Sequence, residues 1–118
     1  IVHSFGADKR IDLNYELDAT NLSIDNAVTI GIITNEVITN SVKYAFDNEA
    51  EGLIQVMLKK NGEQFEYKIC DTGSGLPDEY MHGKHSSLGI NLIISLSKQL
   101  GGKLQIDNNN GTCYIIVW

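Results

Sequence analysis

"FEYKICDTGSGLP", residues 65–77, decides how this chain is read. Phe65, Tyr67 and Ile69 alternate with Glu66, Lys68 and Cys70, the pattern of a strand with one buried face. Asp71 has the parity of the apolar residues, so a carboxylate ends the core-facing row. Burying it is expensive unless something donates hydrogen bonds to it. Gly73 and Gly75 follow, removing Cβ atoms where a bent backbone or a planar ligand has to come close. Asp71 is therefore half of a hydrolytic dyad, an acceptor for a ligand, or the first residue of a turn.

The flanking sequence narrows the choice. "RIDLNYEL", residues 10–17, alternates with Ile11, Leu13, Tyr15 and Leu17 on one face. A long helix is expected from a cap at Asp25 to about Phe46. "LIQVMLKKNGEQFEYKIC" then reads as two strands joined at Asn61-Gly62, a strong hairpin signal. Residues 76–87, "LPDEYMHGKHSS", hold the sole proline, Pro77, show no periodicity and read as an exposed loop. A second helix is expected from Leu88 to Leu100, stopped by Gly101-Gly102. "KLQI" and "CYIIVW" close the chain as a hairpin around "NNNG".

The order β-α-β-β-loop-α-β-β gives an α+β fold. Two helices suffice for one face of a sheet, so a two-layer α/β sandwich follows, with a mixed, mostly antiparallel five-stranded sheet. Residues 1–10 read as a short helix or a linker, and residues 11–118 as a single domain.

Composition limits the function. The chain has 118 residues, 42% of them hydrophobic, and a net charge of -6. An acidic surface argues against nucleic acid as a partner, since phosphates demand clustered Lys and Arg. No apolar run approaches the roughly 18 residues of a membrane span, so this fragment is expected to make no membrane contact. Cys70 and Cys113 are expected to be free buried thiols of a cytoplasmic protein. His82 and His85 read as loop histidines, because no acid or Cys stands at metal-ligand spacing from them.

The first helix carries a polar stripe. Ala27, Gly31, Thr34, Ile38, Ser41, Val42 and Ala45 project to one side and are expected to pack on the sheet. Glu36, Asn40 and Lys43, at i, i+4 and i+7, lie opposite them, within about 60° of one another. Such a stripe is most often a solvated face. Here Ile32, Ile33, Val37 and Tyr44 flank it, which narrows it to a groove, and Asn is a poor helix former unless its amide is used. The Asn40 carbonyl suits Mg²⁺, which takes few protein ligands and completes its octahedron with water and phosphate. Glu36 suits a base and Lys43 a phosphate partner. Thr112 shares the parity of Tyr114, Ile116 and Trp118, so Asp71 and Thr112 stand on neighbouring core-facing rows, where they could read the amino edge of a purine. "SSLGINLI" places a helix N-terminus, an anion site, just beyond the loop, with Gly89 in its first turn.

In this order the motifs resemble those of the GHKL ATPase superfamily. "NEVITNSVKYAF" resembles its N box, "DTGSGLP" its G1 box, and "SSLGINLI" with "QLGG" its G2 region. The likeness is greatest to the catalytic, ATP-binding domain of sensor histidine kinases with Glu in the N box and a short lid. The resemblance implies ATP and Mg²⁺ as cofactors, with Asn40 on Mg²⁺, Lys43 on phosphate and Tyr44 beside the nucleotide. It implies that Asp71 accepts from the adenine amino group, with Thr112 in support through water. Gly73, Gly75, Leu76, Ser87, Leu88 and Gly89 would shape the pocket and its lid, residues 76–88. Glu36 stands where many histidine kinases have Asn and the superfamily's ATPases have a catalytic Glu.

The implied activity is transfer of the γ-phosphate to a histidine on a separate dimerisation domain of the same or a partner chain. A response regulator would act downstream, as in two-component signal transduction. No F box is evident, and no phosphoacceptor helix lies within these residues. Two other readings share the boxes: a serine kinase of the same superfamily that restrains a sigma factor, and a nucleotide-binding docking module without catalysis. An aspartic protease shares only Asp-Thr-Gly; its Asp would sit in a nearly all-β chain, paired across a dimer.

Overall fold

The computed structural model describes residues 2–4, 10–18, 21–41, 51–73, 88–108 and 111–118. Its elements are β1 (Val2–Ser4), β2 (Arg10–Leu17), α1 (Ile24–Asn40), β3 (Glu51–Asn61), β4 (Gln64–Asp71), α2 (Leu88–Gln99), β5 (Lys103–Asp107) and β6 (Cys113–Val117). The strands form one sheet in the order β1-β2-β3-β4-β6-β5. Among the described strands only β2 and β3 pair in parallel; they are the strands separated by α1, as a helical crossover requires. The five expected strands are present in a mixed, mostly antiparallel sheet. Val2–Ser4 add a sixth at the edge, where a short helix or linker was expected.

Both helices pack on one face. Ile33 and Val37 of α1 and Ile90 and Ile93 of α2 join Leu13, Ile54, Val56, Tyr67, Ile69, Tyr114 and Ile116 of the sheet in a single core. At about 1.5–3 kcal/mol for each fully buried aliphatic side chain, this cluster is the main source of stability. Within it, the Thr34 hydroxyl and the Tyr67 phenol share a hydrogen bond. Burial pushes the Tyr67 phenol up to about 12, the bond to Thr34 offsetting part of the rise.

Local chemistry sets the ends of the elements. Ser23, not Asp25, caps α1, accepting from the Asn26 N–H at 3.1 Å. Asp25 sits in the first turn, where its charge favours the positive end of the helix dipole. Gly62, at φ 62°, occupies the first position of the β3–β4 turn, so the turn falls on Gly62-Glu63, one residue later than expected. Gly101, at φ 83°, closes α2, with its N–H on Lys98 O and the Gly102 N–H on Ser97 O.

Two expectations change. The buried side of α1 is Thr29, Ile33, Val37 and Asn40, followed by Ser41, whereas Ala27 and Gly31 are exposed. Burying Ile33 and Val37 removes far more apolar surface than burying Ala27 and Gly31, so the helix is rotated toward them. Asn40 thus lies on the buried side and not opposite it. Cys70 and Cys113 also form a disulfide, in place of the expected free thiols. The β4–β6 register sets these two residues directly opposite each other, with Cα atoms 4.1 Å apart. The expected extension of α1 to Phe46, and the loop with His82 and His85, lie outside the described residues.

Candidate functional site

Asp71 ends β4, and its side chain, 7% exposed, is the centre of a polar cluster beneath the end of α1. Its Oδ1 accepts from the Gly73 N–H at 3.0 Å and the Thr112 N–H at 3.2 Å. Its Oδ2 accepts from the Ser41 hydroxyl at 2.9 Å. The backbone adds a rung beneath, from Asp71 N to Thr112 O at 2.9 Å. Burial raises the Asp71 carboxyl above its ordinary value; the Ser41, Thr112 and Gly73 bonds pull it part of the way back. Tyr114, buried nearby, is raised by burial and, to a lesser extent, by the charge of Asp71.

This arrangement explains the Asp-Thr-Gly spelling. The turn after β4 carries Gly73 back so that its N–H reaches the carboxylate two residues earlier. Thr72 holds the adjoining backbone: its N–H donates to Leu53 O at 3.1 Å, and its hydroxyl accepts from the Leu53 N–H at 3.0 Å. The Thr112 hydroxyl donates to Asn108 Oδ1 at 2.9 Å, and the Thr112 N–H reaches the carboxylate.

Asn40 precedes Ser41 on the same turn and is 5% exposed, and its Nδ2 has no hydrogen-bond partner among the described residues. A buried amide with an unanswered polar atom is costly unless a ligand completes it. Glu36, one turn earlier on α1, is half-buried. The helix turn thus brings Glu36, Asn40 and Ser41 toward the end of the sheet that carries Asp71, Gly73 and Thr112. Leu88 and Gly89 open α2. Lys43, Tyr44, Gly75, Leu76 and Ser87 lie outside the described residues. Among the described residues, no three His, Cys, Asp or Glu side chains gather as a metal cluster.

Three residues of the cluster went unassigned in the sequence. Ser41 was expected to be buried, but nothing in its spacing marked it as the donor to Asp71. Gly111, at φ 105°, lies so close to Asp71 that an added Cβ would stand 2.1 Å from the Asp71 carbonyl oxygen. Its signal was the Gly-Thr pair before β6. Asn108 carried no signal at all.

The profile of the histidine kinase-like ATPase domain matches residues 10–118. The chain belongs to that family. Among curated proteins it is similar to blue-light-activated histidine kinase 2 of Erythrobacter litoralis, 29% identical over 107 residues, covering 90% of this chain and 31% of that protein. It is likewise similar to the sensor histidine kinase PdtaS of Mycobacterium tuberculosis, 29% identical over 99 residues, covering 82% of this chain and 20% of that protein. The chain therefore spans less than a third of these relatives.

Among solved structures, the histidine kinase domain of the Erythrobacter litoralis EL346 blue-light activated kinase superposes with a TM-score of 0.80 at 28% identity, over 91% of this chain and 50% of that one. The mycobacterial sensor kinase MprB shares the fold, with a TM-score of 0.65 at 21% identity, over 91% of this chain and 80% of that one. The family implies ATP binding. No helix among the described residues is long and apolar enough to cross a membrane.

Proposed function

We propose that residues 11–118 bind Mg·ATP and donate the γ-phosphate to a histidine on a separate dimerisation domain, as the catalytic domain of a two-component sensor histidine kinase. In this reading the domain is cytoplasmic and a response regulator receives the phosphoryl group downstream. One observation carries the nucleotide assignment. Among the described residues, Ser41 Oγ is the single donor on Asp71 Oδ2, whereas Oδ1 already accepts two N–H bonds. A carboxylate oxygen accepts at about two sites, so Oδ2 keeps an acceptor position for the exocyclic amine of adenine.

The remaining roles follow from residue chemistry. Asn40 fits Mg²⁺ through its hard amide oxygen; its Nδ2, unpartnered among the described residues, is a donor and suits a phosphate oxygen of the same ligand. Bound there, the ion would neutralise charge on the phosphates. Glu36 orients or deprotonates the nucleophile, Lys43 contacts phosphate, and Tyr44 lies beside the nucleotide. Gly75, Leu76, Ser87, Leu88 and Gly89 border the phosphates and the lid. Gly73 and Thr112 hold the Asp71 carboxylate through their N–H groups. Positioning and charge neutralisation then supply most of the catalysis, as is general in phosphoryl transfer.

Competition between ATP and GTP tests the assignment. GTP presents a carbonyl where ATP presents its amine, and a carboxylate facing a carbonyl is left unpaired. ATP is expected to bind at least about tenfold more tightly than GTP. Equal affinities would overturn the role of Asp71. Acid-labile phosphate on the acceptor domain is the expected product of transfer, and acid-stable phosphoserine would point to the serine kinase instead.

A further inference from the structure

The sheet ends at β5, and among the described residues no strand lies on its far side. The backbone groups facing that side can be identified. Phe65 and Trp118 exchange hydrogen bonds in both directions, so β6 turns Trp118, Ile116 and Tyr114 toward β4. Alternation turns Val117, Ile115 and Cys113 toward β5, where they pair with Lys103, Gln105 and Asp107. Leu104 and Ile106 consequently present their N–H and C=O groups to the open edge.

Beside that edge, α2 and β5 enclose a groove of about 480 Å³ with Ile94, Leu104 and Ile106 among its walls. Ile94 is 37% exposed. The side chains of Lys103, Gln105 and Asp107 are exposed, on the opposite face of the strand.

We propose that the β5 edge is an interface with a second copy of this chain, related by a two-fold axis at Gln105. The segment Lys103-Leu104-Gln105-Ile106-Asp107 complements itself when reversed. Antiparallel pairing about Gln105 puts Lys103 opposite Asp107 of the second copy, and Asp107 opposite its Lys103. Leu104 then meets Ile106 of the second copy in a hydrogen-bonded pair, using the groups that β6 leaves unused. The charged pairs fall at the non-hydrogen-bonded positions, where facing side chains are closest. On the other face, Ile94, Leu104 and Ile106 of the two copies cover each other's grooves.

Charges at a sheet edge usually prevent pairing. Prevention works by like charges meeting, and here opposite charges meet. The other edge differs: β1 has three residues, too short to template a partner. The contact is isologous, so it closes at the dimer and does not propagate into a fibre. This inference is independent of the nucleotide assignment.

Sedimentation velocity across rising concentrations of the chain tests it. A reversible monomer–dimer equilibrium is expected. Lys103→Asp and Asp107→Lys should each weaken it by about tenfold, and the double exchange K103D/D107K should restore it. Hydrogen exchange of the wild type is a second readout that needs no variant: the Leu104 and Ile106 amides should slow as concentration rises, while those of Lys103 and Gln105 do not change. A monomer at every concentration, or a dimer indifferent to the single and double exchanges, would overturn the proposal.

Discussion

The Ser41 hydroxyl donates to Asp71 Oδ2 at 2.9 Å, tying the end of α1 to the end of β4 across 30 residues of sequence. Both side chains are buried, so the bond is a fixed part of the site. It joins the helix carrying the proposed metal ligand to the strand carrying the proposed adenine acceptor.

Ser41→Ala removes the sole described donor to Oδ2 and leaves a buried carboxylate oxygen less satisfied. Unfolding stability should fall by about 1–3 kcal/mol, measured by urea denaturation. ATP affinity should fall about tenfold, and the pH at which binding is half lost should move upward, because a donor that favoured the charged form is gone. A variant that loses stability but keeps the same pH midpoint would make Ser41 merely structural.

The raised Asp71 carboxyl fixes the sign of a pH effect. Between its ordinary and its folded pKa the folded state holds the proton more often than the unfolded state, so stability falls as pH rises through that window. Asp71→Asn carries no such proton and should lack this component of the pH dependence. Near neutral pH it should melt at or above the wild-type temperature. Thermal melts from pH 4 to 8 check this; a wild type that gains stability from this residue as pH rises would contradict it.

Gly111→Ala places a methyl group 2.1 Å from the Asp71 carbonyl oxygen, at a backbone φ of 105° that side chains rarely adopt. Strain and overlap together should cost about 2 kcal/mol or more, read as a lower denaturant midpoint. Nucleotide binding should weaken with it, since relief of the clash moves Asp71.

The disulfide encloses a chain segment of sequence separation 43, for which loop entropy gives about 4 kcal/mol of stabilisation. Reduction, or C70S/C113S, should lower the unfolding free energy by up to that amount. Thiol titration of the unreduced, denatured chain should find no free thiol.

Much of the fold was legible because periodicity records burial directly. The alternation around Leu13, Tyr67 and Ile69, the hairpin at Asn61-Gly62 and the stop at Gly101-Gly102 are local signals, and each reappears within a residue or so. The packing side of α1 was not legible, since an angular projection weighs Ala27 and Gly31 equally with Ile33 and Val37 while burial does not. The disulfide depended on the β4–β6 register, which no local signal sets. At the site, Asp71 announced itself as a carboxylate on an apolar row. Ser41, Gly111 and Asn108 act through contacts between residues distant in sequence, and the Thr112 parity revealed its burial but not which of its atoms meets Asp71.

If Asp71 reads adenine, replacing its carboxylate must cost nucleotide affinity. Calorimetric titration of ATP with Mg²⁺ into the wild-type chain and into Asp71→Asn tests it most directly. Binding to the wild type is expected, with a loss of about a hundredfold in the variant, where an amide replaces a charged acceptor while the fold is kept. Equal binding to both, or no binding to the wild type, would contradict it.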